Sequence, residues 1–295
     1  NDRFELFLDE LWENNLKNSP VFASKLGDKR FNDQITLNTI EDIQKNNEQR
    51  YLDLKNLNSF SFDTLSQENQ LNYRLKKISL DMSIELSKYP SYFMSLNQRG
   101  GVQSYYETGD RLNFTSKKDY QDWLARLYLY SKNISNSYNN NKAAIEAGYS
   151  QPKLVTRAVI SQISAILNSN IEEHPYLQVF LNADESIISI EEKNILIGDA
   201  KILISEEMNP AYKRLHTFLV NEYLPNSRDS IGIKDVPNGK EWYEDLASYH
   251  TTTKLSPNDI HNIGLTEIKR IRDEMAEIIL ELEWEGDCLL NTFED

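Results

Sequence analysis

The sequence predicts an all-α protein. Apolar residues recur at three- and four-residue spacing in segment after segment, Ser, Thr and Pro stand where helices begin, and no run alternates apolar and polar residues long enough to make a strand. A first stripe, Phe4, Leu8, Leu11, Trp12 and Leu16, ends near Ser19-Pro20, and a short helix from Pro20 stops at Gly27. After the turn GDKRFND, helical patterns run from Thr39 to Leu57 and from Ser66 to Lys88, the second placing Leu71, Leu75, Ile78, Met82 and Leu86 on one face. Residues 90–114 read as non-helical. Ser116 opens a helix reaching about Gly148, and Pro152 opens another that carries Val155, Val159, Ile163 and Ile166. A short aromatic helix near Pro175 to Leu181 precedes Ser189 and Glu192, a capping box in which each side chain satisfies the other residue's backbone N–H. The helix behind it runs to Tyr223 with Pro210 inside, so a missing donor and a steric clash predict a kink or break at Asn209. The irregular stretch LPNSRDSIGIKDVPNG leads to a helix from Lys240 to about Tyr249. Ser256-Pro257-Asn258-Asp259 then starts a last helix, whose stripe is Ile260, Ile268, Ile271, Met275, Ile278 and Leu282, with Gly264 filling the gap.

With 295 residues the chain can bury a substantial core, as one large domain or two ordinary ones. Hydrophobic residues at 39%, with 16 Tyr, 11 Phe and 4 Trp, exclude a disordered chain. The apolar runs are too short to span a bilayer. The chain starts at Asn1 with no export signal, and the absence of an initiating Met implies processing or trimming. A formal charge of -14 repels phosphate backbones and argues against nucleic acid as a partner. The basic clusters Arg74-Leu75-Lys76-Lys77 and Lys269-Arg270-Ile271-Arg272 lie in helices with acidic neighbours and read as solvated faces. Cys288 is the only cysteine, which excludes an intrachain disulfide and a cysteine-based zinc knuckle.

No complete catalytic constellation emerges. None of the four histidines, His174, His216, His250 and His261, is followed by Glu, so the helical zinc motif His-Glu-x-x-His is missing. There is no Gly-x-Ser-x-Gly elbow and no phosphate loop, and Gly100-Gly101 lacks the preceding strand and third glycine of a dinucleotide fingerprint. Two loops are richer than a connection requires. NQRGGVQSYYETGD joins Gln98, Arg99, Gly100, Gly101 and Tyr105: amides, a cation, a backbone free to approach closely, and a rigid ring with a polar tip. Tyr249-His250-Thr251-Thr252-Thr253 offers a run of hydroxyls. In both loops these groups serve either local hydrogen bonding or the backbone of an extended ligand.

The strings SPVFASKLGDKRFND, GGVQ, DYQDWLARL, FLVNEYLPNSRDSIGIKDVPNGKEWY and YHTTTKLSPNDIHNIGLTEIKRIRDEM occur in that order. Together they resemble the bacterial domain-of-unknown-function 885 family over essentially the whole chain. The resemblance implies a multi-helix, elongated helical half of a zincin-like metallopeptidase fold with few or no strands. It also implies an exported, periplasmic or lipid-anchored protein related to zinc peptidases. The family's metal motif, His-Glu-x-x-Pro-Gly-His-His, lies downstream of the threonines, and the tail ELEWEGDCLLNTFED resembles the start of the next family segment. Residues 1–295 are therefore expected to be the N-terminal helical part of one large domain cut in mid-domain. On that expectation the chain itself holds neither cofactor nor catalytic residue, and zinc belongs to the full-length protein. Its partners would be the missing C-terminal half and a peptide or small amide or ester substrate. Tyr249 to Thr253 would then form a wall of the substrate cleft. The alternative is a self-contained acidic helical module that binds peptides or proteins through its Tyr-rich loops.

Overall fold

The computed structural model describes residues 1–282; Cys288 and most of the closing ELEWEGDCLLNTFED lie outside the described residues. The chain divides into two compact units, Asn1–Pro237 and Asn238–Asp295. The first contains α1 (Asp2–Asn18), α2 (Pro20–Lys25), α3 (Ile40–Leu57), α4 (Gln67–Ser87), α5 (Lys117–Glu146), α6 (Lys153–Asn168), α7 (Gln178–Leu181), α8 (Ile190–Leu203) and α9 (Asn209–Phe218). The second contains α10 (Gly239–Thr251) and α11 (Pro257–Glu281). Among the described residues there is no strand, only isolated bridges at Asn97–Gly100 and Pro152–Arg228. The fold is all-α.

The starts fall where side chains can take up orphan amide groups. Ser66 and Thr39 cap α4 and α3, while Ser116 with Asp119, Ser189 with Glu192 and Ser256 with Asp259 form full capping boxes. At Pro210 the helix is not broken. A π-helical turn, Ile204–Met208, joins α8 to α9. The wider turn opens the hydrogen-bond ladder where Pro210 has no N–H to give and its ring would crowd the carbonyl four residues back. The segment 90–114 is also more ordered than its composition suggests, with 3₁₀ turns at Ser91–Met94 and Val102–Arg111.

The main core is built around α5. Trp123, Leu127, Tyr130 and Ile134 pack with Val159, Ile163 and Ile166 of α6, with Tyr212, Leu215 and Phe218 of α9, and with Tyr176, Leu177 and Phe180. Each such side chain contributes roughly 1.5–3 kcal/mol on burial. A second core joins Phe4, Phe7 and Leu11 of α1 to Leu57, Leu65 and Leu80.

A polar ladder runs down α5 beside this apolar packing. Asp119, Arg126, Asn133 and Asn140, seven residues apart and all buried, hold the irregular segment 28–38. Lys29 reaches Asp119 at 2.7 Å, Arg126 donates to the carbonyls of Phe31 (3.0 Å) and Gln34 (2.9 Å), Asn133 to that of Thr36 (2.9 Å), and Asn140 to that of Asn38 (2.6 Å). Burial works to raise the Asp119 carboxyl, but hydrogen bonds from Lys29, Thr115 and Ser116 outweigh it and hold the group below the ordinary carboxylate range.

Two apolar stripes lie open among the described residues. On α4, Leu71, Leu75 and Ile78 are exposed, and the residues turned inward are Asn69 and Leu80. On α11, Ile263, Ile268, Ile271, Met275 and Ile278 are all exposed, and the helix has no buried residue. Periodicity reveals that a helix has an apolar face, whereas burial depends on whether another element lies against it.

Candidate functional site

The loop carrying Gln98 to Glu107 starts with a tight turn. Asn97 and Gly100 exchange backbone hydrogen bonds at 3.2 Å, and the Arg99 amide donates to the Asn97 side chain at 2.9 Å. Gly101 follows with φ +133°, a conformation reserved for glycine, and a Cβ there would stand 2.7 Å from the Gln103 amide oxygen. The chain then winds into the 3₁₀ turns from Val102, whose carbonyl accepts from the buried Tyr212 hydroxyl at 2.6 Å. Tyr212 and Tyr176 share a hydrogen bond of 2.7 Å, and burial pushes both phenols well above their usual range. Tyr105 also belongs to this anchor. It stacks on Tyr130 at 4.3 Å between ring centroids, and burial pushes its phenol up to about 12.

Against this anchored loop lies a cavity of about 350 Å³, walled by Gln98, Arg99, Gln103, Ser104, Tyr106 and Glu107 on one side and by Gln162, Ser169 and Glu173 on the other. Three glutamines are chained across it. The Gln103 amide donates to the Asn97 carbonyl (2.7 Å), the Gly100 carbonyl (3.2 Å) and the Gln162 side-chain oxygen (3.2 Å), and Gln162 donates to the Gln98 carbonyl at 2.9 Å. The buried Gln103 oxygen finds no donor among the described residues. Arg99 is exposed and makes no ion pair among the described residues, while Glu107 is tied to Arg111 at 2.9 Å. The arrangement offers the unpartnered Gln103 oxygen and the exposed Gln98 side-chain amide, with a free guanidinium at the mouth. That set suits a ligand with peptide-like groups and a negative end.

The threonine turn is a different kind of structure. Thr251 donates to the Ala247 carbonyl at 2.8 Å and lies 2.9 Å from the Thr253 hydroxyl, Thr252 donates to the Thr251 carbonyl at 2.7 Å, and Ser248 donates to the Thr253 carbonyl at 2.9 Å. The hydroxyls therefore close the end of α10 locally. Thr252 has φ +53°, the left-handed region that a β-branched side chain resists. Tyr249 and His250 remain exposed, with their rings edge to face at 5.1 Å.

Of the residues expected to bind substrate, the structure brings Gln98 and Arg99 to the cavity and uses Gly100 and Gly101 to shape the turn. It places Tyr105 in the packing beneath. Gln103, Gln162, Tyr106 and Glu107 escape the sequence reading. Gln103 and Gln162 are linked across 59 positions, and nothing in either local pattern announces the pairing.

The described residues do not fit zinc. Among them no three His, Cys, Asp or Glu side chains gather as a metal requires. His174 is buried with its Nε2 3.3 Å from Asn209, and burial lowers its pKa. His216 lies 2.8 Å from the Ser164 hydroxyl, but that hydroxyl also donates to the Ile160 carbonyl at 2.8 Å, and no carboxylate is bonded to the His216 ring. The pair lacks the third member that would make a nucleophile of it.

The family model described as "Bacterial protein of unknown function (DUF885)" matches residues 20–293. The chain belongs to this family. Among solved structures, the crystal structure of "the putative lipoprotein from Colwellia psychrerythraea" is similar to this DUF885 chain, with a TM-score of 0.81 at 19% identity, over 92% of this chain and 49% of that one. The likeness is one of fold, and the DUF885 chain spans about half the length of that protein. No curated protein matches it. Among the described residues no helix is long and apolar enough to cross a membrane.

Proposed function

We propose that this chain is the helical, metal-free part of a larger zinc-dependent hydrolase acting on peptides or small amides and esters, and that the Gln98–Glu107 cavity holds the substrate backbone. The chained amides of Gln98, Gln103 and Gln162 carry this reading. They leave the Gln103 side-chain oxygen open to a donor beside the exposed Gln98 and Arg99, on a loop that the buried tyrosines hold rigid. Arg99 supplies the cation for a substrate carboxylate. In this reading the chain binds and orients, and the metal and the groups that break the bond belong to the other half.

Two observations support membership in a larger protein over a self-contained binding module. The apolar stripe of α11 is exposed along its length, as a face made for further polypeptide would be, and the solved neighbour is about twice as long. That neighbour's description as a "putative lipoprotein" supports an exported location. In the second unit the exposed rings of Tyr249 and His250 are the groups left for a substrate contact, since the adjacent threonine hydroxyls are engaged locally.

The test is steady-state kinetics of the full-length protein on a peptide series. Gln162→Ala and Arg99→Gln are each expected to raise KM by about tenfold with kcat unchanged, the signature of lost uniform binding. Unchanged KM in both variants removes the cavity from the site, and hydrolysis that persists after zinc is stripped removes the metallopeptidase reading.

A further inference from the structure

The helices α1, α3 and α4 meet in the second core, and each inward stripe then continues into polar residues. On α1, Phe4, Phe7 and Leu11 give way to Asn14, Asn15 and Asn18. On α3 the residues leading back from Leu57 are Asp53, Arg50, Gln49 and Asn46, and on α4 Lys76, Ser79 and Ser83 flank Leu80. In all three helices the spacing is that of one face, at three, four and seven residues. The faces enclose a cavity of about 350 Å³ with Leu11 and Leu80 at its floor.

We propose that this cavity binds an anionic polyol, a single sugar-like ring bearing a phosphate or carboxylate. Where the core ends at Leu11 and Leu80, the half-buried Asn46, Arg50, Asp53, Lys76 and Ser83 and the exposed Asn14, Asn15, Asn18, Gln49 and Ser79 turn amides, hydroxyls and two cations toward one concavity. Arg50 spends one nitrogen on the Asn47 side chain at 2.8 Å and makes no ion pair among the described residues. Among the described residues Lys76 has no acidic partner either, although its neighbour Lys77 is paired with Asp81 at 3.0 Å. The one carboxylate lining the cavity, Asp53, accepts from Gln49 at 2.8 Å and has a second oxygen free for a hydroxyl. Two cations against one acid, in a chain of formal charge -14, make this concavity a local reversal of the protein's field. Asn, Gln and Ser both donate and accept, which matches the ambivalence of sugar hydroxyls. The volume lies at the low end of the roughly 300–1,000 Å³ of small-molecule sites, so it suits one ring and not a chain of them.

The test is titration calorimetry of the full chain with glucose 6-phosphate, glucuronate, glucose and inorganic phosphate. Saturable binding of glucose 6-phosphate or glucuronate is expected, about tenfold or more tighter than glucose or phosphate alone, and about tenfold weaker in Lys76→Gln and Arg50→Gln. Circular dichroism establishes that each variant is folded, and Lys76→Gln, on a half-exposed side chain, decides if Arg50→Gln does not fold. The proposal is overturned if neither charged sugar saturates up to about 10 mM, far weaker than the micromolar range of ordinary recognition. It is equally overturned if inorganic phosphate alone binds as tightly, or if Lys76→Gln leaves the affinity unchanged.

Discussion

The loop at Gln98–Glu107 and the turn at Tyr249–Thr253 carry similar sequence signals, polar and aromatic groups crowded into a short connection, yet they are built in opposite ways. The first takes its shape from far away. The Val102 carbonyl is held by a tyrosine 110 positions on, and Gln103 meets Gln162 across 59. The second bonds only within itself, over five positions or fewer. A loop shaped by the core keeps its outward groups for a ligand, while a loop that shapes itself spends them.

Breaking the anchored loop carries the largest expected cost. Gly101→Ala is expected to destabilise by about 3 kcal/mol, because the backbone there is accessible to glycine alone and the added methyl meets the Gln103 oxygen; urea unfolding measures it. Tyr212→Phe removes the shorter of two tyrosine hydrogen bonds to the Val102 carbonyl, leaving that of Tyr176 at 3.5 Å, and is expected to cost about 0.5–1.5 kcal/mol. The same variant also weakens substrate binding if the cavity is the site, which no change at Thr251, Thr252 or Thr253 should do. At that turn the sign reverses. Thr252→Gly relieves a left-handed β-branched residue and is expected to stabilise by roughly 1 kcal/mol, with peptide kinetics unaltered. A loss of activity on that substitution would instead mark the strain as functional.

The smallest effect is a pH dependence. Burial depresses the His174 pKa below its ordinary 6.5, so the unfolded chain binds the proton more readily. This contribution to stability is present above pH 6.5 and is lost as pH falls through the folded value. His174→Gln is expected to flatten that slope between pH 7 and 5 in urea titrations.

Helix starts were legible because caps are local: Ser116, Ser189 and Ser256 each lie three residues from the acid that completes the box. The disturbance at Pro210 was legible too, but its form as a π turn was not, since that depends on how the flanking helices pack. The stripes on α4 and α11 were legible as faces, but a stripe does not say what covers it. The candidate site was half legible. Gln98 and Arg99 stood out in a crowded loop, whereas Gln162 sits on a helix whose apolar residues draw the eye, and only the fold brings it across.

The ladder on α5 has a consequence for how the chain tolerates change. Asp119, Arg126, Asn133 and Asn140 recur every seven residues, about 10.5 Å of helix per step, and each grips a successive point of the segment 28–38. Such a device measures length. A residue inserted anywhere in that segment shifts the later rungs out of register together, so a stretch that looks like an ordinary surface connection is expected to accept substitutions at its exposed side chains and refuse insertions.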